Sequence, residues 1–255
     1  MKTLRSIAKR ILPMSIKIML WNWYLKFRNF ILKRKLLGAA VVDVSYFGAE
    51  PVSDISEHLN FLYFYLLTAK PTNILELGTR GGESTKVLEK YCREMNIIGK
   101  SFDLEKAPDW LNRSKNWEHY VGNDIELGKN LTETHKWPNG MAFEKLDFIF
   151  LDTSHEYFHT KEELEVFLDL LEDGIGAIAI HDTNLSSSPT LRLDGTVNKG
   201  WDNGRGVARA IEEYFGFKFD ERAHQVKSIS TGKYLMYHQP WCNGFSIIIP
   251  YLSKP

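Results

Sequence analysis

The sequence predicts an α/β fold in which a mostly parallel sheet is covered by helices on both faces. The stretches 146–151 and 176–180 are almost entirely apolar, as is typical of strands that are buried on both sides. Stretches with helical period alternate with these strands, and this alternation indicates a parallel sheet. The chain of 255 residues is 44% hydrophobic and 25% charged, a globular composition that excludes collagen-like, disordered and coiled-coil proteins.

The predicted elements place polar residues at the ends of strands. The first element is a helix that Ser53 can cap, that continues through Leu67 and that Pro71 ends. Strands are predicted at 73–77, 97–102, 119–121, 146–151, 176–180, 217–219, 234–237 and 245–250, and further helices at 84–95, 160–171 and 207–215. Ligands of such sheets bind beyond the carboxyl ends of the strands. The candidate site therefore consists of the polar groups at 76–84, 103–105, 122–124, 152–155 and 181–184.

Charge is balanced over the whole chain but not along its length. Basic and acidic residues number 32 each, so the net charge predicts no nucleic-acid partner. Residues 1–40 contain ten basic residues and no acidic residue, which leaves 22 basic and 32 acidic residues in 41–255. Cys92 and Cys242 are far apart in sequence, which argues against a disulfide framework or a zinc–thiolate site and fits a reducing compartment such as the cytoplasm.

Residues 1–50 are predicted to form a basic amphipathic segment that precedes a domain at 51–255. The longest stretch without charge in this segment is Ile18–Leu25, whereas a membrane span needs ~20 apolar residues. Lys17 interrupts the apolar run that a secretory signal would need. Basic and aromatic segments can lie on an anionic membrane surface, so one expectation is peripheral contact of residues 1–40 with the inner face of the membrane. The alternative is packing on the main domain or on a second subunit of a homo-oligomer.

The residues after the first predicted strand indicate a ligand-binding turn. Gly78, Gly81 and Gly82 permit a tight turn, and the helix that follows presents free N–H groups to a ligand. The spacing does not fit the GxGxxG fingerprint of dinucleotide-binding proteins. Glu76 stands two residues before the first glycine, and a carboxylate there suits a cationic group better than a pyrophosphate.

The pattern Glu76-x-Gly78-x-x-x-Gly82 resembles the first motif of class I S-adenosylmethionine-dependent methyltransferases. The resemblance covers about residues 53–255 and implies a Rossmann-like sheet of seven strands with S-adenosylmethionine as the cofactor. The cofactor-binding residues that it implies are Glu76, Gly78, Gly82, Ser84, Asp103 for the ribose hydroxyls, Asn123 or Asp124 for the adenine, and Asp152.

An aspartate follows each of the two buried strands at 146–151 and 176–180. If these strands are neighbours, Asp152 and Asp182 lie close together, and two adjacent carboxylates repel each other unless a cation lies between them. Oxygen ligands, together with an imidazole, suit Mg²⁺ or Mn²⁺. His155 lies three residues after Asp152, on the turn before the next helix, and its imidazole can accept a proton near pH 7.

The runs 151–157 and 181–184 resemble those of metal-dependent sugar O-methyltransferases. These are the enzymes related to macrocin O-methyltransferase and the cephalosporin-hydroxylase-type proteins, with catechol O-methyltransferase as a more remote likeness. The resemblance implies that Asp152 and Asp182 are metal ligands and that His155 is the general base.

The ligand set leaves alternatives open. His181 stands where the sugar enzymes have a carboxylate, so the third ligand is His181, Thr183 or Asn184, or the site holds no metal. Asp152 can instead cap the turn at 154–157. His181 can instead be a core histidine that donates a hydrogen bond to the backbone.

Other residues near these motifs are assigned roles outside the chemistry. Glu156 and His159 are expected on the surface of the following helix. The polar segment 185–205 is expected to be a lid or an acceptor-recognition loop, or otherwise a plain connector. The side chains that could bind a sugar ring and an anionic tail are Arg192, Lys199, Trp201 and Arg205.

The sequence therefore predicts a methyltransferase that acts on a hydroxyl group, and the resemblance implies a sugar hydroxyl of a glycan, glycolipid or natural product. One alternative is a non-catalytic, cofactor-binding partner subunit with the same fold. The other is an RNA methyltransferase that uses the basic segment for phosphates, but the net acidic charge of 41–255 argues against it.

Overall fold

The computed structural model describes residues 55–173, 175–184, 190–191, 197–198, 205–219, 227–231, 233–240 and 243–250. The basic segment 1–50, Ser53 and Cys242 lie outside the described residues. So do most residues of the segment 185–205, including Arg192, Lys199 and Trp201. No helix among the described residues is both long and apolar enough to cross a membrane.

Helices and strands alternate along the chain, as predicted. The helices are α1 (Ser56–Ala69), α2 (Glu83–Met95), α3 (Asp124–Thr134), α4 (Tyr157–Phe167) and α5 (Gly206–Phe215). The strands are β1 (Ile74–Leu77), β2 (Gly99–Asp103), β3 (Trp117–Val121), β4 (Phe148–Leu151), β5 (Ala177–His181), β6 (Thr190–Leu191), β7 (Val197–Asn198), β8 (Lys227–Ser230), β9 (Tyr234–Gln239) and β10 (Phe245–Pro250). Short 3₁₀ turns at Leu111–Arg113 and Leu168–Leu170 complete the regular structure of the described residues.

The main sheet has eight strands in the order β3-β2-β1-β4-β5-β10-β9-β8. The pairs from β3 to β5 are parallel, and the three pairs that involve β10, β9 and β8 are antiparallel. The predicted α/β class is confirmed, but the prediction of seven strands is wrong. The additional strand β8 has the sequence Lys-Ser-Ile-Ser, and its single apolar residue is too little to show the alternating pattern of a strand. It is a strand because it pairs with β9.

Two further differences from the expected elements have local causes. The strand expected at 217–219 is absent, because the Phe219 N–H donates to the Glu212 carboxylate (2.9 Å) and Phe217 packs in the core. Helix α3 was not predicted. It is rich in polar residues and contains Gly128, which gives it a weak helical signal. Within the segment 185–205, β6 and β7 pair as a short antiparallel hairpin.

The sheet carries apolar side chains on both faces. Leu75, Ile149 and Ile178 belong to the core cluster on the side of α3, α4 and α5. The adjacent residues along the same strands, including Phe148 and Ala177, belong to the other cluster, which contains residues of α1 and α2. Because successive strand residues point to opposite faces, this division shows that the strands are buried on both sides.

The parallel part of the sheet positions the site. The strands β1, β2, β3, β4 and β5 run in the same direction, so their carboxyl ends share one edge. All five predicted polar groups follow these strand ends and therefore meet along that edge.

Candidate active site

The turn between β1 and α2 brings the glycine segment against the end of β4. Gly78 has φ +86°, and its N–H donates to the carbonyl of Phe102 (2.9 Å). A Cβ at Gly78 would overlap the carbonyl oxygen of Asp152 and lie 2.8 Å from the carbonyl carbon. Gly82 has φ +79°, and a Cβ there would lie 2.7 Å from the ring of Trp110. The glycine turn is thus held in direct contact with the backbone of the polar group 152–155.

The carboxylate of Glu76 is fully buried behind this turn. Its Oε1 accepts a hydrogen bond from the Ser84 hydroxyl (2.6 Å), and its Oε2 accepts one from the Thr85 hydroxyl (2.7 Å). Burial raises the pKa of Glu76 to about 8, although the two hydroxyl donors favour the charged form. Glu76 and Ser84 are thus hydrogen-bonded to each other at the base of the turn. The contact of these two residues with a cofactor stays a prediction.

Asp103, at the end of β2, holds the outer part of the turn. Its Oδ2 accepts from the backbone N–H groups of Thr79 (2.6 Å) and Arg80 (2.8 Å), and its Oδ1 accepts from the N–H of Glu105 (2.8 Å). Arg80 has φ +44°, which is uncommon for a residue with a side chain. The carboxylate that was predicted to bind ribose therefore also fixes the shape of the cofactor turn.

Asn123 and Asp124 have different environments. Asn123 is exposed, and its Oδ1 caps α3 by accepting from the N–H of Glu126 (3.0 Å). Asp124 is buried and contacts Nε2 of His159 (3.2 Å). His159, which was expected on the helix surface, has a side chain that is about one-quarter exposed, and its ring also lies 3.5 Å from a Glu163 oxygen. Glu156, by contrast, is exposed as predicted.

The residues after β4 and β5 converge, as the sequence predicts. Nε2 of His155 forms an ion pair with Oδ2 of Asp182 and lies 3.6 Å from Oδ1 of Asp152. Nδ1 of His181 lies 3.4 Å from the same two oxygens. The two strand ends therefore bring two carboxylates and two imidazoles to one point, beside the glycine turn.

Burial and charge act in opposite directions at this group. Burial alone would lower the pKa of His155, but hydrogen bonds and charge from Asp152 and Asp182 outweigh it and raise the pKa to about 10. The pKa of His181 is raised for the same reason, although burial opposes the change. Burial would raise the pKa of Asp182, but the positive charge of His181 and hydrogen bonds from both histidines hold it well below the usual range. The carboxylates thus favour the protonated imidazoles, and the imidazoles favour the charged carboxylates.

Three of these side chains have the spacing of a metal-binding set. One ligand atom each from Asp152, His155 and Asp182 lie within 4.8 Å of one another. Nδ1 of His181, which the sequence analysis gave as a possible third ligand, also lies 3.4 Å from an oxygen of each carboxylate, so both histidines would be within reach of an ion held there. Of the other ligands considered, the Thr183 hydroxyl accepts from the Ser246 hydroxyl (3.0 Å), and the Asn184 amide donates to the Pro240 carbonyl (2.9 Å). The Thr183 hydroxyl is therefore engaged on the side of β10, whereas Oδ1 of Asn184 is buried and has no hydrogen-bond partner among the described residues.

Sequence reasoning missed a residue that lies behind the converging group. His58 of α1 is fully buried, its Nδ1 is paired with Oε1 of Gln239 (3.1 Å), and its ring centroid lies 5.5 Å from that of His181. Burial, followed by the charge of His181, lowers the pKa of His58 to about 3. The one signal in the sequence was a histidine on the apolar face of α1, among Ile55, Leu59 and Leu62.

Comparison with known families identifies the region that contains these strand ends. Residues 75–183 match the family model described as a methyltransferase domain. The match covers 109 of the 255 residues, and over that region the chain is similar to methyltransferase domains. The resemblance to class I S-adenosylmethionine-dependent methyltransferases, which was inferred from the glycine turn and the strand-end residues, is thereby confirmed.

Solved structures of O-methyltransferases are similar in fold to this chain. The O-methyltransferase TomG from Streptomyces achromogenes, which is involved in tomaymycin synthesis and was solved with S-adenosylmethionine, is 16% identical; the match covers 96% of this chain and 94% of TomG, with a TM-score of 0.52. A candidate O-methyltransferase from Klebsiella pneumoniae is 15% identical over 87% of this chain and 96% of its own, with a TM-score of 0.51. At these identities the likeness shows the methyltransferase fold alone. A comparison with curated proteins found no match.

Proposed function

We propose that this chain is an S-adenosylmethionine-dependent O-methyltransferase that methylates a sugar hydroxyl of a glycan, glycolipid or natural product. The observation that carries the proposal is the convergence of Asp152, His155 and Asp182 at the strand edge, in contact with the turn at Gly78. A cofactor in that turn and an acceptor at the carboxylates would be immediate neighbours. Positioning of this kind is the main task in methyl transfer, because the sulfonium methyl is already electrophilic.

The cofactor would lie along the carboxyl ends of β1, β2 and β3. Gly78 and Gly82 leave room for close approach, and the N-terminus of α2 follows them. Asp103 and Asn123 are polar side chains of this edge that reach solvent, and they suit the ribose hydroxyls and the adenine. Glu76 and Ser84 support the turn from below. The structure of TomG with S-adenosylmethionine supports this choice of cofactor.

The Asp152 group, which consists of Asp152, His155 and Asp182, fits a hard divalent cation such as Mg²⁺ or Mn²⁺. It offers two carboxylates at one point, and the buried Oδ1 of Asp182 has no hydrogen-bond partner among the described residues. Asp152 and Asp182 would hold the ion, with His181 as a further nearby donor. When bound, the ion would lower the pKa of the acceptor hydroxyl and orient it.

His155 would accept the hydroxyl proton at Nε2. This atom is buried against both carboxylates while the side chain as a whole is one-fifth exposed, so an acceptor would reach Nε2 only once the ring moves away from Asp182. The two carboxylates raise the pKa of this imidazole, so it would become a better base once their charge is neutralised from another source. Asp152 and Asp182 then serve to orient the ring.

The test is methyl transfer from isotopically labelled S-adenosylmethionine to fractionated glycolipid and polysaccharide extracts, with and without Mg²⁺. Removal of a general base typically costs ~10²–10⁴-fold in rate, so His155→Gln should lower turnover by that factor while cofactor affinity stays within about twofold. His135→Asn is a matched control, because His135 is an exposed residue at the end of α3. Wild-type turnover in the His155 variant would remove the base assignment. Rates that do not change in chelator would remove the metal.

The same experiment separates a second function. The ion pair between His155 and Asp182 satisfies the site without an acceptor, as a non-catalytic cofactor-binding subunit would require. Calorimetric binding of S-adenosylmethionine without methyl transfer to any fraction would favour that function over an enzyme.

The basic segment supports a proposed location. Ten basic residues without an acid in 1–40 suit peripheral contact of a cytoplasmic protein with anionic lipid. The full chain should co-float with vesicles that contain phosphatidylglycerol and not with phosphatidylcholine vesicles, and the triple change Lys33→Gln, Arg34→Gln, Lys35→Gln should weaken this binding. Equal flotation of both proteins would contradict the proposal, and light scattering of the same samples would show whether the chain is a homo-oligomer.

A further inference from the structure

A second group of metal-type ligands lies beside the proposed cofactor edge. Asp124 is the first residue of α3, and His159 and Glu163 lie one turn apart on α4. One ligand atom from each of the three lies within 4.8 Å of the others. None of the three belongs to the Asp152 group described above.

The carboxylate of Glu163 points to a missing ligand. Glu163 is fully buried, and its Oε1 accepts the Thr153 hydroxyl (2.5 Å). Its Oε2 is buried and has no hydrogen-bond partner among the described residues. The carboxylate of Asp124, which is also buried, lies against it in the same group. Two buried carboxylates side by side repel each other unless one is protonated or a cation lies between them, and a buried oxygen without a partner is costly.

The distances match the edges of a coordination polyhedron. Nε2 of His159 lies 3.2 Å from Oδ2 of Asp124 and 3.5 Å from Oε1 of Glu163. Ligands at Zn–N and Zn–O distances of ~2.1 Å in a tetrahedron are ~3.4 Å apart, and three protein ligands leave one position for water. The His159 ring is about one-quarter exposed, so that position can face solvent.

We propose that Asp124, His159 and Glu163 bind a divalent transition-metal ion, with Zn²⁺ as the best fit to one imidazole and two carboxylates. The Thr153 hydroxyl orients the Glu163 carboxylate, as outer partners of metal ligands do. The site assigns Asp124 to the ion and leaves Asn123 as the side chain for the adenine. Because Thr153 follows Asp152 directly, the ion would also stiffen the segment that carries the candidate active site.

The site can be tested without any methyl-transfer assay. The parent protein is the full chain with Asp152→Asn and Asp182→Asn, which removes the carboxylates of the other group. Zn²⁺ is titrated into this parent by calorimetry, and bound zinc is counted by mass spectrometry after desalting. We expect one ion per chain, and ~100-fold weaker binding or more when His159→Gln or Glu163→Gln is added, since loss of a ligand should exceed the 10–100-fold effect of losing an outer partner. Addition of His135→Gln to the parent is the matched control.

Two outcomes would overturn the proposal: no zinc in the parent, or the same zinc affinity in the His159 variant and the parent. The first would mean that a protonated His159 alone balances the carboxylates. If the added variants fail to fold, NMR of the histidine ring nitrogens decides. Zn²⁺ should shift one histidine signal in the parent, and the same signal should be present and shift in the parent that also carries His135→Gln. Absence of any such shift would also overturn the proposal. None of these results depends on the proposed methyl transfer.

Discussion

Gly78→Ala is the substitution that most directly tests the contact between the cofactor turn and the end of β4. An alanine at φ +86° costs about 1–2 kcal/mol, and overlap in a packed interior costs a further 1–3 kcal/mol. The overlap is with the carbonyl group of Asp152, which is backbone and cannot rotate away. We therefore expect a loss of about 2–5 kcal/mol in the free energy of unfolding, a large part of the 5–15 kcal/mol that a folded protein has.

Gly81→Ala is the matched control for this experiment. A Cβ at Gly81 meets no atom within 4 Å, and its φ is not positive, although it lies in the same turn. Its effect on stability should stay within about 1 kcal/mol and can be stabilising, because alanine reduces the entropy of the unfolded chain. The comparison therefore separates the local contact from the general effect of adding a methyl group.

The assay is urea unfolding followed by tryptophan fluorescence, together with calorimetric titration of S-adenosylmethionine and Mn²⁺ under conditions where both variants are folded. Because the displaced backbone belongs to Asp152, the Gly78 variant should lose affinity for both ligands. Equal unfolding midpoints for the two variants would refute the reasoning from the turn geometry. A destabilised Gly78 variant with unchanged affinity for both ligands would refute the link between the turn and the candidate site.

Three further predictions concern single carboxylates and caps at the same edge. Burial raises the pKa of Glu76 from 4.5 to about 8, so the folded protein favours the neutral carboxyl. This contribution to the free energy of unfolding is complete below pH 4.5 and is lost as the pH rises towards 8. It amounts to at most about 5 kcal/mol. Glu76→Gln should therefore flatten the fall of the urea midpoint between pH 5 and 8, and an unchanged slope would contradict the assignment. Asn123→Ala should cost about 1 kcal/mol through the lost cap of α3, whereas Asn123→Asp should restore it in the same unfolding assay. Asp103→Asn should cost about 1–3 kcal/mol and weaken S-adenosylmethionine binding in calorimetry, because an amide cannot accept all three N–H groups; wild-type values for both would show that the carboxylate does not hold the turn.

The residues of the candidate site were predictable because of where the strands lie in the sequence. Two short, strongly apolar runs end in Asp152 and His181, and a parallel sheet leaves such ends at one edge. The pairing of β4 with β5 then makes Asp152 and Asp182 neighbours. The glycine turn was predictable for a similar reason, since positive φ and close approach to Asp152 both require glycine at position 78. Local pattern and topology agree at each of these positions.

Other features depend on contacts that no local pattern contains. Asp124 and His159 are 35 positions apart, and the helix that carries Asp124 has little helical signal of its own. The ring of His58 meets His181 across more than half of the described chain. The strand β8 exists because β9 offers it an unpaired edge. Tertiary packing determines these features, so the charges and spacings in the sequence could not identify them.

The two assignments made for the candidate site, metal and base, depend on each other. A histidine with a pKa of about 10 is a poor base at neutral pH. His155 has that pKa because hydrogen bonds and negative charge from Asp152 and Asp182 stabilise its protonated form. An ion that supplied this charge would remove the reason for the proton, so binding of the ion and release of the proton would be a single equilibrium. The charge on the two carboxylates thus links the choice of base to occupancy of the metal site. A histidine that worked equally well as a base without the ion would need a neutral side chain in place of Asp182. In this protein the partner is the charged Asp182, which is closer to His155 than Asp152 is.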